Sequence, residues 1–163
     1  MIKLRILKVD DVNKDYLRWM NDFKLHEFTE QKYKKKTINT LKKFVKSKMK
    51  TNLEFLYGIF YKNKHIGNIK LGPIHPIHKY AEISYFIGEK KFHNKGIATE
   101  TISKIINIAK KKKLKKLIAG CHEINKSSIK VLEKNNFKIE GSFKNMLLYK
   151  NKRYKSLWLG IEI

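Results

Sequence analysis

The sequence is poor in the residue types that most often mark a function. One cysteine, Cys121, among 163 residues excludes an internal disulfide and a thiolate metal site, and fits a reducing compartment. Two prolines, Pro73 and Pro76, and 8 glycines leave no linker that would divide the chain, so one domain over residues 1–163 is expected. No apolar run approaches the ~18 residues of a membrane span, and Met1-Ile2-Lys3-Leu4-Arg5 opens no signal core. A cytoplasmic protein without a membrane partner is the expectation. Acidic residues are scarce as well: 14 Asp+Glu face 38 Lys+Arg, for a formal charge of +24. Arginine is nearly missing, with only Arg5, Arg18 and Arg153 beside 35 lysines. Readers of base edges and phosphates favour the planar Arg fork, whereas Lys supplies solvated point charge. With 21 Ile and 13 Asn, the excess reads first as compositional bias and second as a polyanion-binding surface. A Lys-rich nucleic-acid-binding module is therefore the competing class, disfavoured because no Arg-aromatic recognition motif accompanies the charge. What is present is enough for a core: 42% hydrophobic and 12% aromatic residues exclude disorder.

Periodicity orders the chain as βααβββαβαββ, an α/β (α+β) domain. Ile2, Leu4 and Ile6 alternate with Lys3 and Arg5 as a half-buried strand. A helix capped by Asp10 or Asp11 follows, with Val12, Tyr16, Trp19 and Met20 inward; Thr37 caps the next, with Ile38, Leu41, Phe44, Val45 and Met49 as its stripe. Residues 54–62 and 65–72 read as a hairpin turning near Asn63, and Ala81 to Ile87 as another strand. Ala98, Ile102, Ile105, Ile106 and Ala109 define a core-packed helix ended by Lys110 to Lys113. Leu117 to Cys121 is a strand, Asn125 caps a short helix, and Asn136 takes the positive φ that ends it. Residues 143–163 form two strands around Lys150 to Arg153.

The strand-to-helix junction Glu89 to Gly96 carries the chemistry. Gly96 and the small Ala98 at a helix start let an anion approach unpaired first-turn amides. Neither G-x-G-x-x-G nor the P-loop pattern is present, so dinucleotide binding and triphosphate hydrolysis are not supported.

Four segments, in order and at matching separations, resemble the GNAT acetyltransferase superfamily over almost the whole chain. They are Ile66-Gly67-Asn68-Ile69, Ala81 to Gly88, Phe92 to Glu100, and Asn125 to Ser128 with Leu132 to Phe137. The similar branch holds ribosomal-protein N-terminal, spermidine and nucleotide-amino-sugar acetyltransferases of bacterial type. The family loop [QR]-x-x-G-x-[GA] is matched at Gly96 and Ala98, with His93 in its first position. The resemblance implies a mixed, mostly antiparallel sheet flanked by helices, with acetyl-CoA as cosubstrate and no metal. Phe86, Ile87 and Gly88 would pair through backbone with the pantetheine arm; Asn94, Lys95, Gly96, Ile97, Ala98 and Thr99 would cradle the pyrophosphate; Asn125 would reach the cofactor.

The implied reaction is direct attack of a primary amine on the thioester, which needs a proton route and an acid for the leaving thiolate. Leu132 stands where many members carry a Tyr, and Leu147 near where the ribosomal branch has a Glu. Ser128 occupies that branch's Ser position and becomes the candidate acid. Glu82 is the best remaining carboxylate for the base, with His122 or ordered water as alternatives. Cys121 reads as a buried strand residue. A +24 field opposes a polycation and favours an anionic acceptor. A nucleotide-linked or other small amino sugar ranks first, then a protein N-terminus, then polyamine or antibiotic amines. Oligomeric state is open, with a homodimer among the options.

Overall fold

The computed structural model describes residues 1–163. Its main elements are β1 (Ile2–Ile6), α1 (Lys14–Met20), α2 (Ile38–Met49), β2 (Phe55–Tyr61), β3 (Lys64–His75), β4 (Tyr80–Ile87), α3 (Ile97–Lys111), β5 (Lys116–His122), α4 (Lys126–Glu133), β6 (Lys138–Tyr149) and β7 (Lys152–Glu162). This is the expected βααβββαβαββ order. Several local details differ: Phe44 and Met49 of the expected α2 stripe are exposed, and β3 runs on to His75, past the expected residue 72. Asn13, not Asp10 or Asp11, caps α1, its Oδ1 accepting from the Tyr16 amide at 3.0 Å. Asp11 instead pairs with Arg5 at 2.7 Å, at the end of a short 3-10 turn. β6 also begins at Lys138, ahead of the expected residue 143.

The seven strands form one sheet in the order β1-β2-β3-β4-β5-β7-β6, antiparallel except for β4 beside β5. β2 is buried on both faces, which its run Phe55-Leu56-Tyr57-Gly58-Ile59-Phe60-Tyr61 suits. α3 buries Ile97, Thr101, Ile102, Ile105 and Ala109 on one face of the sheet, against Ile69, Leu71, Ala81, Ile83 and Leu117. Each fully buried Ile or Leu there contributes roughly 1.5–3 kcal/mol. α1 and α2 cover the opposite face of the β1–β4 half, through Tyr16, Trp19, Met20, Leu41 and Val45.

One feature of the register positions the site. β4 and β5 pair only over Tyr80–Glu82 with Lys116–Ile118. Beyond that, β4 follows β3 to Ile87 and β5 follows β7 to His122. The two half-sheets part, and a wedge opens between Ile83–Ile87 and Ala119–His122. The amide of Gly88 donates to Ile66 O on the β3 side at 2.7 Å. Strand alternation therefore turns the backbone groups of Tyr85 and Ile87 into the wedge, and those of Phe86 toward β3.

Candidate active site

The mouth of the wedge is the loop between β4 and α3. Asn94 (φ 58°) and Gly96 (φ 73°) both adopt the left-handed conformation, and alternation of this kind turns successive amides to one side as an anion-binding nest. No backbone amide from Asn94 through Thr99 donates to an acceptor in the protein; the first helical bond is Glu100 N to Gly96 O at 3.0 Å. A Cβ built on Gly96 would meet no atom within 4 Å, so the cradle is open on that side. His93 fixes it in place: its Nε2 donates to Ile87 O at 2.8 Å, tying the loop to the end of β4. These features fit a phosphate-bearing ligand by backbone alone.

The other residues of the expected cofactor site take mixed roles. Ile87 offers its amide to the wedge, while its carbonyl is held by His93. Phe86 turns its ring away, onto His26 at 5.2 Å between centroids. Gly88 is required by packing, since a Cβ there would lie 2.2 Å from the Trp19 ring. Asn125 caps α4, its Oδ1 accepting from Ser128 N at 3.3 Å and Ser127 Oγ at 3.0 Å.

The candidate acid and base lie on opposite faces of the sheet. Ala81, Ile83 and Ile87 belong to the α3-side core with Tyr85 packed against it, so Glu82 and Ser84 point the other way. Glu82 sits at the closed end of the wedge, opposite Ile118, and takes part in none of the ion pairs of the protein. Ser128, from α4, enters from the α3 side, with its Oγ 3.2 Å from the Tyr85 hydroxyl. Burial pushes the Tyr85 phenol up to about 12, against a smaller lowering by Ser128, so it stays protonated at neutral pH. Burial likewise pushes the Cys121 thiol up, partly offset by Ser128; a thiol held protonated is a poor nucleophile. Cys121 is buried, as its strand position predicts.

Sequence reading missed Tyr85, whose strand phase marks it as core, and an aromatic cluster at the far side of the wedge. There His122, the last residue of β5, is 6% exposed and stands 5.4 Å from Phe28, 6.0 Å from Tyr149 and 5.1 Å from Tyr154. Phe28 lies between α1 and α2, while Tyr149 and Tyr154 flank the β6–β7 turn, so the cluster joins the two half-sheets' flanks. Tyr149 OH donates to Glu27 at 3.1 Å. Burial pushes His122 below its usual range; Glu123 raises it slightly and Lys32 lowers it further. His122 Nδ1 accepts from the Ile124 amide at 3.4 Å, leaving Nε2 buried and without a partner. No group of three or more His, Cys, Asp or Glu is placed to hold a metal.

This geometry defines a class. The family of the acetyltransferase (GNAT) domain matches residues 4–158, and the chain belongs to it; the protein is an acyltransferase of the GNAT type. Among solved structures it is similar to the ribosomal α-N-protein acetyltransferase RimL in complex with coenzyme A, with TM-score 0.87 and 20% identity over 99% of this chain and 94% of that chain. It is similar also to the spermidine N-acetyltransferase of Vibrio cholerae, with TM-score 0.87 and 18% identity over 99% and 95%. The microcin self-immunity acetyltransferase MccE, in complex with acetyl-CoA and AMP, gives TM-score 0.86 and 22% identity over 99% and 92%. At these identities the likeness speaks for the fold alone. No curated protein sequence matches the chain. No helix is long and apolar enough to cross a membrane.

Proposed function

We propose that the protein binds acetyl-CoA in the β4–β5 wedge and transfers its acetyl group to a small primary amine, foremost a nucleotide-linked or other small amino sugar. The observation that carries this reading is the run of unpaired amides from Asn94 through Thr99 at the mouth of the wedge. It suits an anionic pyrophosphate, and the free Ile87 amide suits a strand-like pantetheine arm. Acetyl-CoA supplies an activated acyl group; the amine nitrogen bonds to the acyl carbon as the C–S bond breaks, and no acyl-enzyme is needed. Glu82, on the acceptor face, takes the proton that leaves the amine, directly or through water. Ser128 gives a proton toward the departing sulfur, with the Tyr85 phenol as its hydrogen-bonded reserve. Asn125 orients Ser128 through its cap. In this scheme the two proton carriers flank the wedge from opposite faces, which keeps acid and base apart.

The +24 charge supports an anionic acceptor over a polyamine. The test is a screen of nucleotide-linked amino sugars, peptide N-termini and polyamines, read as coenzyme A thiol release, with thermal stabilisation by acetyl-CoA measured beside it. Stabilisation together with amine-dependent thiol release is expected. Absence of both would refute the reading.

A further inference from the structure

We propose that the acceptor carries a phosphate group, gripped by Lys32, Lys34 and Lys35 next to the aromatic cluster around His122. This rests on the N-acetyltransferase reading and adds the chemistry of the acceptor to it. A cavity of about 220 Å³ opens between the end of α1 and the segment before α2, lined by Asn21, Asp22, Gln31, Lys32, Lys34 and Lys35. Its one carboxylate, Asp22, is already taken by Lys90 at 2.8 Å. None of the three lysines has a carboxylate partner within 4.0 Å, so no acidic side chain of the protein neutralises them.

The lysine segment is held in place. Asn21 clasps the backbone of Lys36 from both sides, accepting from its amide at 2.8 Å and donating to its carbonyl at 3.0 Å. Lys32 Nζ donates to Glu27 O at 2.7 Å and lies 5.5 Å from the centre of the Tyr149 ring. The cavity therefore meets the aromatic cluster through Lys32. Beyond Tyr149 stands His122, more than nine-tenths buried, whose Nε2–H donor has no partner. The contacts lead from the cavity through Lys32 to the Tyr149 ring, and from Tyr149 to His122 at the end of β5 on the wedge. An amino sugar phosphate matches that line with its amine in the wedge, the apolar face of its ring on Phe28 and Tyr149, and its phosphate on the lysines. A phosphate ester arises in a free sugar phosphate and in a nucleotide-linked sugar alike, and both fit this grip.

The experiment compares kcat/KM for glucosamine, glucosamine phosphate and a uridine-diphosphate-linked amino sugar. It uses the wild type, a Lys34→Gln/Lys35→Gln double variant, and a Lys110→Gln/Lys111→Gln variant at the far end of α3. Wild type should favour a phosphate-bearing acceptor by about tenfold or more. The first double variant should lose most of that preference through KM, while the second keeps it. Whichever phosphate-bearing acceptor leads assigns the source, and either lead supports the grip. Equal turnover of glucosamine by wild type, or an equal loss of preference in both double variants, would overturn it. Acetyl-CoA stabilisation separates the levels: if it is present without phosphate preference, this inference alone falls; if it is absent, the enzyme reading falls as well.

Discussion

In the proposed function the two sides of the wedge recognise their ligands by different means. On the β4–α3 side the groups offered to a ligand are backbone amides, fixed by two left-handed residues and one histidine hydrogen bond. On the β5 and β6–β7 side they are side chains: Phe28, His122, Tyr149 and Tyr154, brought together from elements far apart in sequence. A backbone cradle tolerates changes of side chain as long as φ and ψ survive. A side-chain cluster does not, and it is where specificity can change while the fold is kept.

The largest expected effect breaks the first side. Gly96→Val forces a β-branched residue to φ 73°, so acetyl-CoA affinity should fall about a hundredfold by calorimetry. Asn94→Gly, which keeps the same backbone conformation, should stay within about threefold. A comparable loss in both would mean that side chains matter on the cofactor side, and the contrast would fail. Next come the proton carriers. Ser128→Ala, Tyr85→Phe and Glu82→Gln should each lower kcat by about 10–100-fold, with acetyl-CoA affinity held within about twofold. Turnover at the wild-type level in any of them would remove that residue from the chemistry. Smaller again, Phe28→Ala and His122→Gln should raise the acceptor KM by about tenfold and leave acetyl-CoA binding alone; a shift in acetyl-CoA affinity instead would merge the two sides.

The same contrast explains what the sequence disclosed. The α3 stripe was legible because a buried face repeats at 3.6 residues, and the nest because Gly96 stands between a strand and that helix. Thr37, Asn125 and Asn136 were legible through local cap and turn chemistry. The α1 cap was less legible: Asp10, Asp11 and Asn13 are all short polar side chains that can cap, and the ion pair of Asp11 with Arg5 removes it from the choice. The start of β6 was hidden because an exposed edge strand has no buried face to impose a period. Tyr85 and Ser128 are 43 residues apart, and Phe28 meets its partner His122 across a still longer stretch of chain. No local pattern encodes such meetings; they exist only once the half-sheets have parted.

The smallest expected effect is one of pH, and it too divides the sides. His26, His65 and His122 are all held below their usual range, chiefly by burial. The unfolded chain, with His near ~6.5, therefore takes up protons that the fold refuses. Their contribution to stability is full above about pH 6.5 and is lost as pH falls toward the lowered folded values. A decrease in Tm from pH 7.5 to pH 5.5 is expected, with a shallower decrease in His65→Gln. His122 belongs to the proposed acceptor side, under the ring of Phe28, while His26 packs on Phe86 of β4. A proton on His122 would also face Lys32, whose charge already opposes it. Acidification should therefore loosen the acceptor side first: hydrogen exchange at Glu27–Phe28 and at Tyr149–Tyr154 should rise before exchange in α3, and equal protection loss in both would show that the two sides open as one unit.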